Sequence, residues 1–237
     1  METTRLIGRL IGLLGGCSDV ATGHMYARIN ALGNARLGGW HIPETLISGM
    51  DFGVIEAGVR GGDWAMLKAY LALHLDHLAP ADVVVCGSNT LHKVLPELME
   101  GREQSFIHIQ DPTAEAAKAA GVGKLVLLGT KSTMGGGYAA EHYRAAHGLE
   151  IVVPTEAEQV EVDRIIFSEL CRGEVRAESR EAYVAVCRRL AEETGATGVI
   201  LGCTEIETLL RPEDLPEIEL FDTMELLCRA AVEAVVD

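Results

Sequence analysis

Two residues with reactive side chains, Cys203 and Ser88, each follow an apolar run that ends in a glycine. The dipole of a helix N-terminus stabilises a thiolate, so a thiol placed there has a lowered pKa. Gly202 also leaves room for a substrate to approach the sulfur. We therefore interpret Cys203 as a candidate acid–base thiol, with a buried cysteine at a strand end as the alternative.

Ser88 occupies the corresponding position in the first half of the chain. A serine at a helix start is commonly an N-cap, and an unassisted hydroxyl is a weak acid and base at neutral pH. Ser88 would need a proton partner, and His92 lies one helical turn further on. His92 could equally be structural, with its ring packed and one nitrogen hydrogen-bonded. Further polar side chains follow the two turns: Asn89, Thr90 and Thr204.

A second pair of turns, at 15–18 and 129–133, combines glycine with hydroxyl side chains. Glycine lets backbone N–H groups converge on an anion, and Ser and Thr hydroxyls add donors. The sequence contains neither G-x-G-x-x-G nor G-x-x-x-x-G-K-[ST], so a nucleotide site is disfavoured. Cys17 could line a cleft or pack as a small buried thiol against the first sheet. The candidate ligands in these turns are Cys17, Ser18, Thr130, Ser132 and Thr133.

The segments that carry these turns recur along the chain at nearly constant spacing. Gly15 corresponds to Gly129, 114 residues later, and Ser88 corresponds to Cys203, 115 residues later. An apolar run that ends in a small-residue turn is typical of a buried strand followed by a helix. The repeat predicts two similar α/β lobes whose corresponding turns meet in the cleft between them.

The hydrophobic periodicity of the sequence predicts the helices and strands that must position these residues. Pro80, Gly121 and Gly195 mark predicted helix ends. We assign 1–112 and 217–237 to an N-terminal lobe, with the final helix returning to it, and 113–216 to a C-terminal lobe. The predicted strands are 83–86, 106–109, 124–128, 150–153 and 198–201, and the predicted helices include 19–32, 89–99, 113–120, 138–147, 156–171, 178–194 and one from Thr223.

Composition narrows the class of protein. The formal net charge of −15 would repel nucleic acid, so we expect no nucleic-acid partner. Six cysteines without a C-x-x-C pair disfavour zinc and a disulfide framework. No apolar run approaches the roughly 18–20 residues that span a bilayer. Arg9 interrupts the apolar stretch that begins at Leu6, which disfavours its interpretation as the core of a signal peptide. We expect a cytoplasmic protein with no membrane partner.

Motifs in order from Ile11 to the C-terminus resemble those of the aspartate/glutamate racemase family. The resemblance implies two flavodoxin-like lobes related by pseudo-two-fold symmetry, a homodimer, and racemisation of a small amino acid without pyridoxal phosphate or a metal. In that family two cysteines, one from each lobe, flank the substrate α-carbon. The motifs are GLLGGCS at 12–18, RLGG at 36–39, MDF at 50–52, GDW at 62–64, SNTLHK at 88–93, LGT at 128–130, IIFSELCRG at 165–173, GVILGCTE at 198–205 and FDT at 221–223.

The chain departs from the family pattern at the first cysteine. Ser88 stands directly before Asn89 and Thr90, where the family usually has a thiol. A subgroup of L-specific aspartate/glutamate racemases is similar in having a hydroxyl residue there. Cys86 lies within the preceding strand, where alternation turns it away from the cleft. A glutamine common in the family is Val59 here, which leaves the substrate open.

These residues lead to one principal hypothesis and two alternatives. The principal hypothesis is a cofactor-independent aspartate/glutamate-type racemase in which Cys203 moves the α-proton and Ser88 marks the opposite face. Glu205 would orient the Cys203 turn, and hydroxyl and amide side chains would bind carboxylates. The alternatives are a one-thiol decarboxylase or lyase of the same fold, and a non-catalytic small-acid-binding protein.

Overall fold

The computed structural model describes residues 9–236; residues 1–8, which include most of the apolar start, and residue 237 lie outside the described range. The described chain divides into two compact units. The first unit comprises the residues up to Gly87 together with 94–109 and 227–236, and the second comprises 88–93 and 110–226. The segment that carries Ser88 therefore belongs to the second unit.

The first unit is built on a parallel four-stranded sheet. Its strands are β1 (Ile11–Gly15), β2 (Thr45–Gly49), β3 (Val83–Cys86) and β4 (Ser105–Phe106), in the order β2-β1-β3-β4. Its helices are α1 (Asp19–Leu37), α2 (Phe52–Gly61), α3 (Trp64–His77) and α4 (Leu95–Met99).

The second unit repeats this plan. Its strands are β5 (Lys124–Leu128), β6 (Glu150–Val152), β7 (Gly198–Leu201) and β8 (Glu219–Asp222), in the order β6-β5-β7-β8. The matching strand orders confirm the predicted two-lobe α/β fold. Its helices are α5 (Gln110–Ala119), α6 (Lys131–Gly135), α7 (Tyr138–His147), α8 (Glu156–Ser168), α9 (Ala177–Thr194), α10 (Ile206–Leu209) and α11 (Thr223–Glu233), of which α11 continues into the first unit.

The central strands are apolar because helices cover both faces of each parallel sheet. In the second unit, β7 is completely buried, and alternate residues of the strand face two hydrophobic clusters. Val199 and Leu201 pack with α8 and α9, whereas Ile200 packs with α5 and α7. This packing fixes the carboxyl ends of β5 and β7 side by side, the position at which parallel sheets commonly carry functional residues.

The structure differs from the predicted elements at several places: the predicted strand 106–109 is Ser105–Phe106, and helices α6 and α10 were not predicted. The predicted helix 89–99 is instead a 3-10 turn, Thr90–Lys93, followed by α4, because Pro96 cannot continue a helix from the preceding turn. Helix α2 was not predicted. Strand β8 pairs with β7, and 217–226 lie in the second unit, whereas the prediction assigned all of 217–237 to the first lobe.

Among the described residues, no helix combines the length and apolar character needed to cross a membrane.

Candidate active site

The second unit gathers most of the predicted site residues at the carboxyl edge of its sheet. Three segments contribute to this edge: 88–93, the turn after β5 and the turn after β7. The residues that these segments bring into the unit are Ser88, Asn89, Thr90, His92, Thr130, Ser132, Thr133, Cys203, Thr204 and Glu205.

Cys203 is held at the end of β7 by a close approach of two backbones. The Gly202 N–H donates to the Leu128 carbonyl over 2.7 Å. A Cβ at Gly202 would lie 2.6 Å from the same oxygen, so a larger residue would force the strands apart. The half-buried Cys203 thiol donates to Glu205 Oε2 over 3.0 Å. Thr204 Oγ1 donates to the same oxygen over 2.7 Å.

The pKa of the Cys203 thiol is raised well above its ordinary value, first by burial and then by the negative charge of Glu205. The predicted lowering of this pKa by a helix N-terminus is therefore wrong. Helix α10 begins only at Ile206 and is four residues long, so its dipole is small and lies beyond Glu205. Cys203 is a neutral thiol at rest, and it can become a thiolate only if a base takes its proton.

A second thiol, Cys171, also bonds to Glu205, and sequence reasoning did not assign it a role. Its pKa is raised to about 12 by burial and by the charges of Glu205 and Asp163. Cys171 lies in the 3-10 turn Leu170–Arg172, and the buried residue Glu169 directly precedes this turn. The contact between Cys171 and Glu205 depends on the tertiary structure. The sequence therefore indicated a role for Cys171 only through its position in the 165–173 motif.

Three threonine hydroxyls form a triangle at the end of β5. Thr90 Oγ1 lies 3.1 Å from Thr130 Oγ1 and 3.2 Å from Thr133 Oγ1, and Thr130 and Thr133 are 3.1 Å apart. Thr130 is also the N-cap of α6, since its Oγ1 accepts from the Thr133 N–H. Hydroxyls can rotate from one another toward a bound carboxylate, so this hydroxyl triangle is suited to an acid ligand. Ser132 is half-buried in the same helix.

Tyr138, which sequence reasoning missed, connects the hydroxyl triangle to the 88–93 segment. Its hydroxyl donates to the Asn89 carbonyl over 3.1 Å and lies 3.3 Å from Thr133 Oγ1. Burial raises the pKa of Tyr138 to about 12, so the group stays protonated at neutral pH. No local pattern marks this tyrosine, because its hydrogen bond to the Asn89 carbonyl joins segments 49 residues apart.

Asn89 is tied to the end of β7 through Thr223. The Asn89 amide donates to Thr223 Oγ1 over 3.0 Å, and that hydroxyl donates to the Leu201 carbonyl over 2.9 Å. Both side chains are buried. The amide is therefore committed to holding the 88–93 segment beside the Cys203 turn.

His92 stabilises the turn that carries Ser88. Its Nδ1 lies 2.8 Å from the Ser88 carbonyl oxygen and, as an N–H, donates to it. Burial lowers the pKa of His92 to about 4, so the ring is neutral at physiological pH. The bond reaches the backbone of Ser88 rather than its hydroxyl, which favours the structural interpretation of His92 over that of a proton partner.

Cys17 and Ser18 lie in the first unit, at the carboxyl end of β1. Ser18 is the N-cap of α1, and its hydroxyl accepts from the Ala21 N–H over 3.2 Å. Gly16 has a φ of 92° and passes so close to Met50 that a Cβ would lie 2.2 Å from the Met50 carbonyl oxygen. This crowding fixes the backbone that leads into the half-buried Cys17.

Comparison with known proteins gives a family match and similar solved structures. Residues 14–231 match the family described as Asp/Glu/hydantoin racemase. A Yersinia pestis structure provisionally assigned as an Asp/Glu racemase is 36% identical, with a TM-score of 0.86 over 95% of this chain and 98% of that one. An aspartate racemase homologue from Pyrococcus horikoshii OT3 is 30% identical, with a TM-score of 0.81 over 95% and 98% of the two chains.

A more distant structure shares the fold. Glutamate racemase from Francisella tularensis, solved in complex with D-glutamate, is 12% identical, with a TM-score of 0.66 over 95% of this chain and 80% of that one.

Proposed function

The chain belongs to the Asp/Glu/hydantoin racemase family, and we propose that it is a cofactor-independent racemase of aspartate- or glutamate-type amino acids. The observation that carries the proposal is the Cys203 thiol bonded to the Glu205 carboxylate, beside a turn that brings hydroxyls together. Removing an α-proton requires a base at that proton and donors for the charge that develops on the carboxylate. The Cys203–Glu205 pair and the hydroxyl triangle of the second unit support these two roles.

The thiol must first lose its own proton. Glu205 Oε2 lies 3.0 Å from Cys203 Sγ and is the nearest base, so it takes the thiol proton as the substrate binds. The substrate's ammonium group adds a positive charge next to this acidic pair and offsets the repulsion between thiolate and carboxylate. The thiolate then removes the α-hydrogen, and the electron pair moves into the substrate carboxylate.

The hydroxyl triangle stabilises that intermediate. Thr90, Thr130 and Thr133 turn their protons from one another to the substrate carboxylate, where negative charge develops. Asn89 and Thr204 support the same turns through their bonds to Thr223 and Glu205. Ser88 relays a proton from water to the opposite face of the α-carbon, which completes inversion, and Glu205 gives its proton to the hydroxide that remains. Ser88 is a weak acid, so the direction that begins with Cys203 starts faster than its reverse.

Ser88 also favours a second candidate, a one-thiol decarboxylase or lyase. Because the His92 ring is bonded to the backbone of Ser88, the serine is not supplied with an evident proton partner. A reaction in which Cys203 delivers or removes a single proton needs no acid on the other face. A racemase and a lyase differ in whether the carbon skeleton survives.

Incubation with L- and D-aspartate and L- and D-glutamate in deuterated water tests these functions. Proton NMR reports loss of the α-hydrogen signal, and chiral chromatography reports inversion. The racemase proposal predicts both for at least one of these amino acids. A new carbon-containing product would support the lyase, and no exchange with any of the four would contradict the racemase.

We also propose that the enzyme is a homodimer and acts in the cytoplasm. The homodimer is what the resemblance to the racemase family implies, and its interface would be able to cover exposed apolar side chains of the first unit such as Trp40 and Leu73. The six cysteines are free thiols, as a reducing compartment would keep them. Light scattering after size exclusion gives the dimer mass if the proposal holds, and a monomer mass at micromolar concentration would contradict it.

A further inference from the structure

Asp163, in helix α8, holds the turn that carries two members of the hydroxyl triangle. Its Oδ1 accepts a hydrogen bond from the Lys131 N–H over 2.7 Å. Lys131 is the first residue of α6 and directly follows the N-cap Thr130. The N–H groups in the first turn of a helix have no acceptor within that helix, and a carboxylate is a favourable partner for them. Asp163 thus connects α8 to the start of α6.

A second contact on the same face of α8 lies at the other end of α6. Gln159 precedes Asp163 by four residues, so the two side chains lie on one helix face. Gly135 is the last residue of α6, and a Cβ there would lie 2.9 Å from Gln159 Oε1. The buried Gln159 amide donates to the Pro154 carbonyl over 2.8 Å, which restricts its movement. A helix of five residues has little stability of its own, so these contacts determine where α6 lies.

The position of α6 determines the position of the hydroxyls. Thr130 Oγ1 accepts from the Thr133 N–H, so the two threonines are held as one turn. Both of their hydroxyls contact Thr90 Oγ1, at 3.1 and 3.2 Å. The bond from Asp163 is to the backbone N–H next to Thr130. Its effect on a bound acid would therefore pass through the threonine hydroxyls.

We propose that Asp163 is a positioning residue for substrate binding: it fixes the Lys131 N–H, and with it the turn of the hydroxyl triangle, in the orientation that meets the substrate carboxylate. This inference rests on the proposed function, which assigns the hydroxyls to that carboxylate. Groups that are held in place before the substrate arrives lose less freedom on binding, so a fixed turn increases affinity. Asp163 should therefore affect KM more than kcat.

The negative charge of Asp163 reaches beyond this hydrogen bond, so the bond and the charge must be separated. The charge contributes to the raised pKa of Cys171 and to that of the buried Tyr183. Asp163→Asn removes the charge and keeps an oxygen that accepts from the Lys131 N–H. Asp163→Ala removes both. The comparison of the two variants isolates the hydrogen bond.

Lys131→Pro removes the same hydrogen bond from the donor side. Proline is favoured at the first position of a helix, where its fixed φ fits and an N–H has no intrahelical acceptor. Thr130 has a φ of −62° and a ψ of 157°, an extended conformation that a residue before proline adopts. The variant should therefore fold with α6 intact. Glu156→Ala is the matched control: it removes the exposed ion pair of 3.5 Å to Lys131 Nζ and leaves the backbone N–H in place.

Steady-state kinetics with aspartate or glutamate, whichever the wild type turns over faster, measure KM and kcat for the four variants. We expect Asp163→Ala and Lys131→Pro each to raise KM by about three- to tenfold, as for the loss of one orienting hydrogen bond, with a smaller change in kcat. The double variant should have the KM of either single variant, because both remove one bond. Asp163→Asn and Glu156→Ala should keep KM within about twofold of the wild type.

A merely structural role would lower the amount of folded enzyme, and hence the apparent kcat, without changing KM. Unchanged KM in Lys131→Pro, or equal rises of KM in Asp163→Asn and Asp163→Ala, would overturn the inference. If Asp163→Ala does not fold, Lys131→Pro decides the outcome. A wild type without α-hydrogen exchange would contradict the proposed function and this inference with it, whereas an active wild type with unaffected variants would overturn the inference alone.

Discussion

The Cys203 thiol and the Glu205 carboxylate share a hydrogen bond of 3.0 Å, and the carboxylate raises the pKa of the thiol to which it is bonded. The same contact therefore has two opposed effects. It disfavours a free thiolate at rest, and in the proposed mechanism it supplies the base that takes the thiol proton when a cationic substrate arrives. Activation by an acceptor, rather than by a helix dipole, is what the geometry supports.

Glu205→Gln should separate these two effects. Loss of the negative charge should lower the pKa of Cys203, since burial remains but the repulsion is gone. Loss of the base should reduce kcat by about 10²-fold or more. The pH profile of iodoacetamide labelling, read by mass spectrometry at Cys203, measures the first effect. An unchanged profile would mean that Glu205 does not control the thiol.

Cys203→Ser should reduce the rate of α-hydrogen exchange by about 10²–10⁴-fold, because a hydroxyl of similar volume is a far weaker acid than a thiol. Cys171→Ser is the matched control: it keeps a donor beside Glu205 and should retain most of the activity. Cys86→Ser, buried in β3, should change kinetics little. Circular dichroism verifies folding. Near wild-type exchange in Cys203→Ser would refute the thiol mechanism.

Tyr138→Phe removes the hydroxyl that joins Asn89 to Thr133. We expect a several-fold rise in KM with a smaller change in kcat, because the hydroxyl triangle loses its orientation while the thiol is untouched. The lost hydrogen bond should lower the free energy of unfolding by about 1 kcal/mol. Steady-state kinetics and urea unfolding measure the two quantities. Tyr26→Phe, an exposed tyrosine, is the control, and equal effects in both variants would argue against a specific role.

Ser88→Cys places a thiol where the repeat aligns Ser88 with Cys203. A cysteine has an ordinary pKa of about 8.5, so proton transfer on that face should become faster. The initial rates from the two pure enantiomers should then become more alike. Ser88→Ala is the comparison, in which the asymmetry should persist or grow. Unchanged asymmetry in Ser88→Cys would contradict the two-face mechanism and favour the one-thiol reaction.

Glu169→Gln tests whether the Glu169 carboxylate stabilises the protein at the turn that carries Cys171. The hydrogen bond from Ser179 lowers the pKa of Glu169, with Arg164 and Arg176 adding to the effect. A carboxyl with a lowered folded-state pKa stabilises the protein above its ordinary pKa of 4.5, and this contribution disappears as the pH falls through the folded-state value. The variant should lose about 1–3 kcal/mol at pH 7. Denaturant unfolding between pH 7 and pH 3 should show the difference narrowing, and a constant difference would contradict this assignment.

The sequence predicted elements well where local chemistry defines their ends. Helix α7 matches the predicted 138–147 because Gly137 and Gly148 both adopt left-handed backbone conformations beside it. The strand at 198–201 was predicted because its residues are uniformly apolar. Helix α2 was missed, although Asp51 caps it and Gly62 ends it, because three of its ten residues are glycines, which have low helix propensity.

The candidate site was predictable in its residue types but not in its electrostatics. Cys203 and the threonines of the hydroxyl triangle follow strands that the repeat identifies. The raised pKa of Cys203 depends on burial and on the bond to Glu205, which a sequence pattern does not encode. Tyr138 and Cys171 reach the site from distant segments, so only the fold reveals them.

Helix α11 begins in the second unit and ends in the first, and the 88–93 segment interrupts the first unit as well. A ribosome releases the polypeptide from its N-terminus, so the first unit cannot be completed until 227–236 have emerged. The second unit is complete once residue 226 has emerged, before the last residues of the first unit. In vectorial synthesis, the half of the protein that is made first is therefore the last to finish folding.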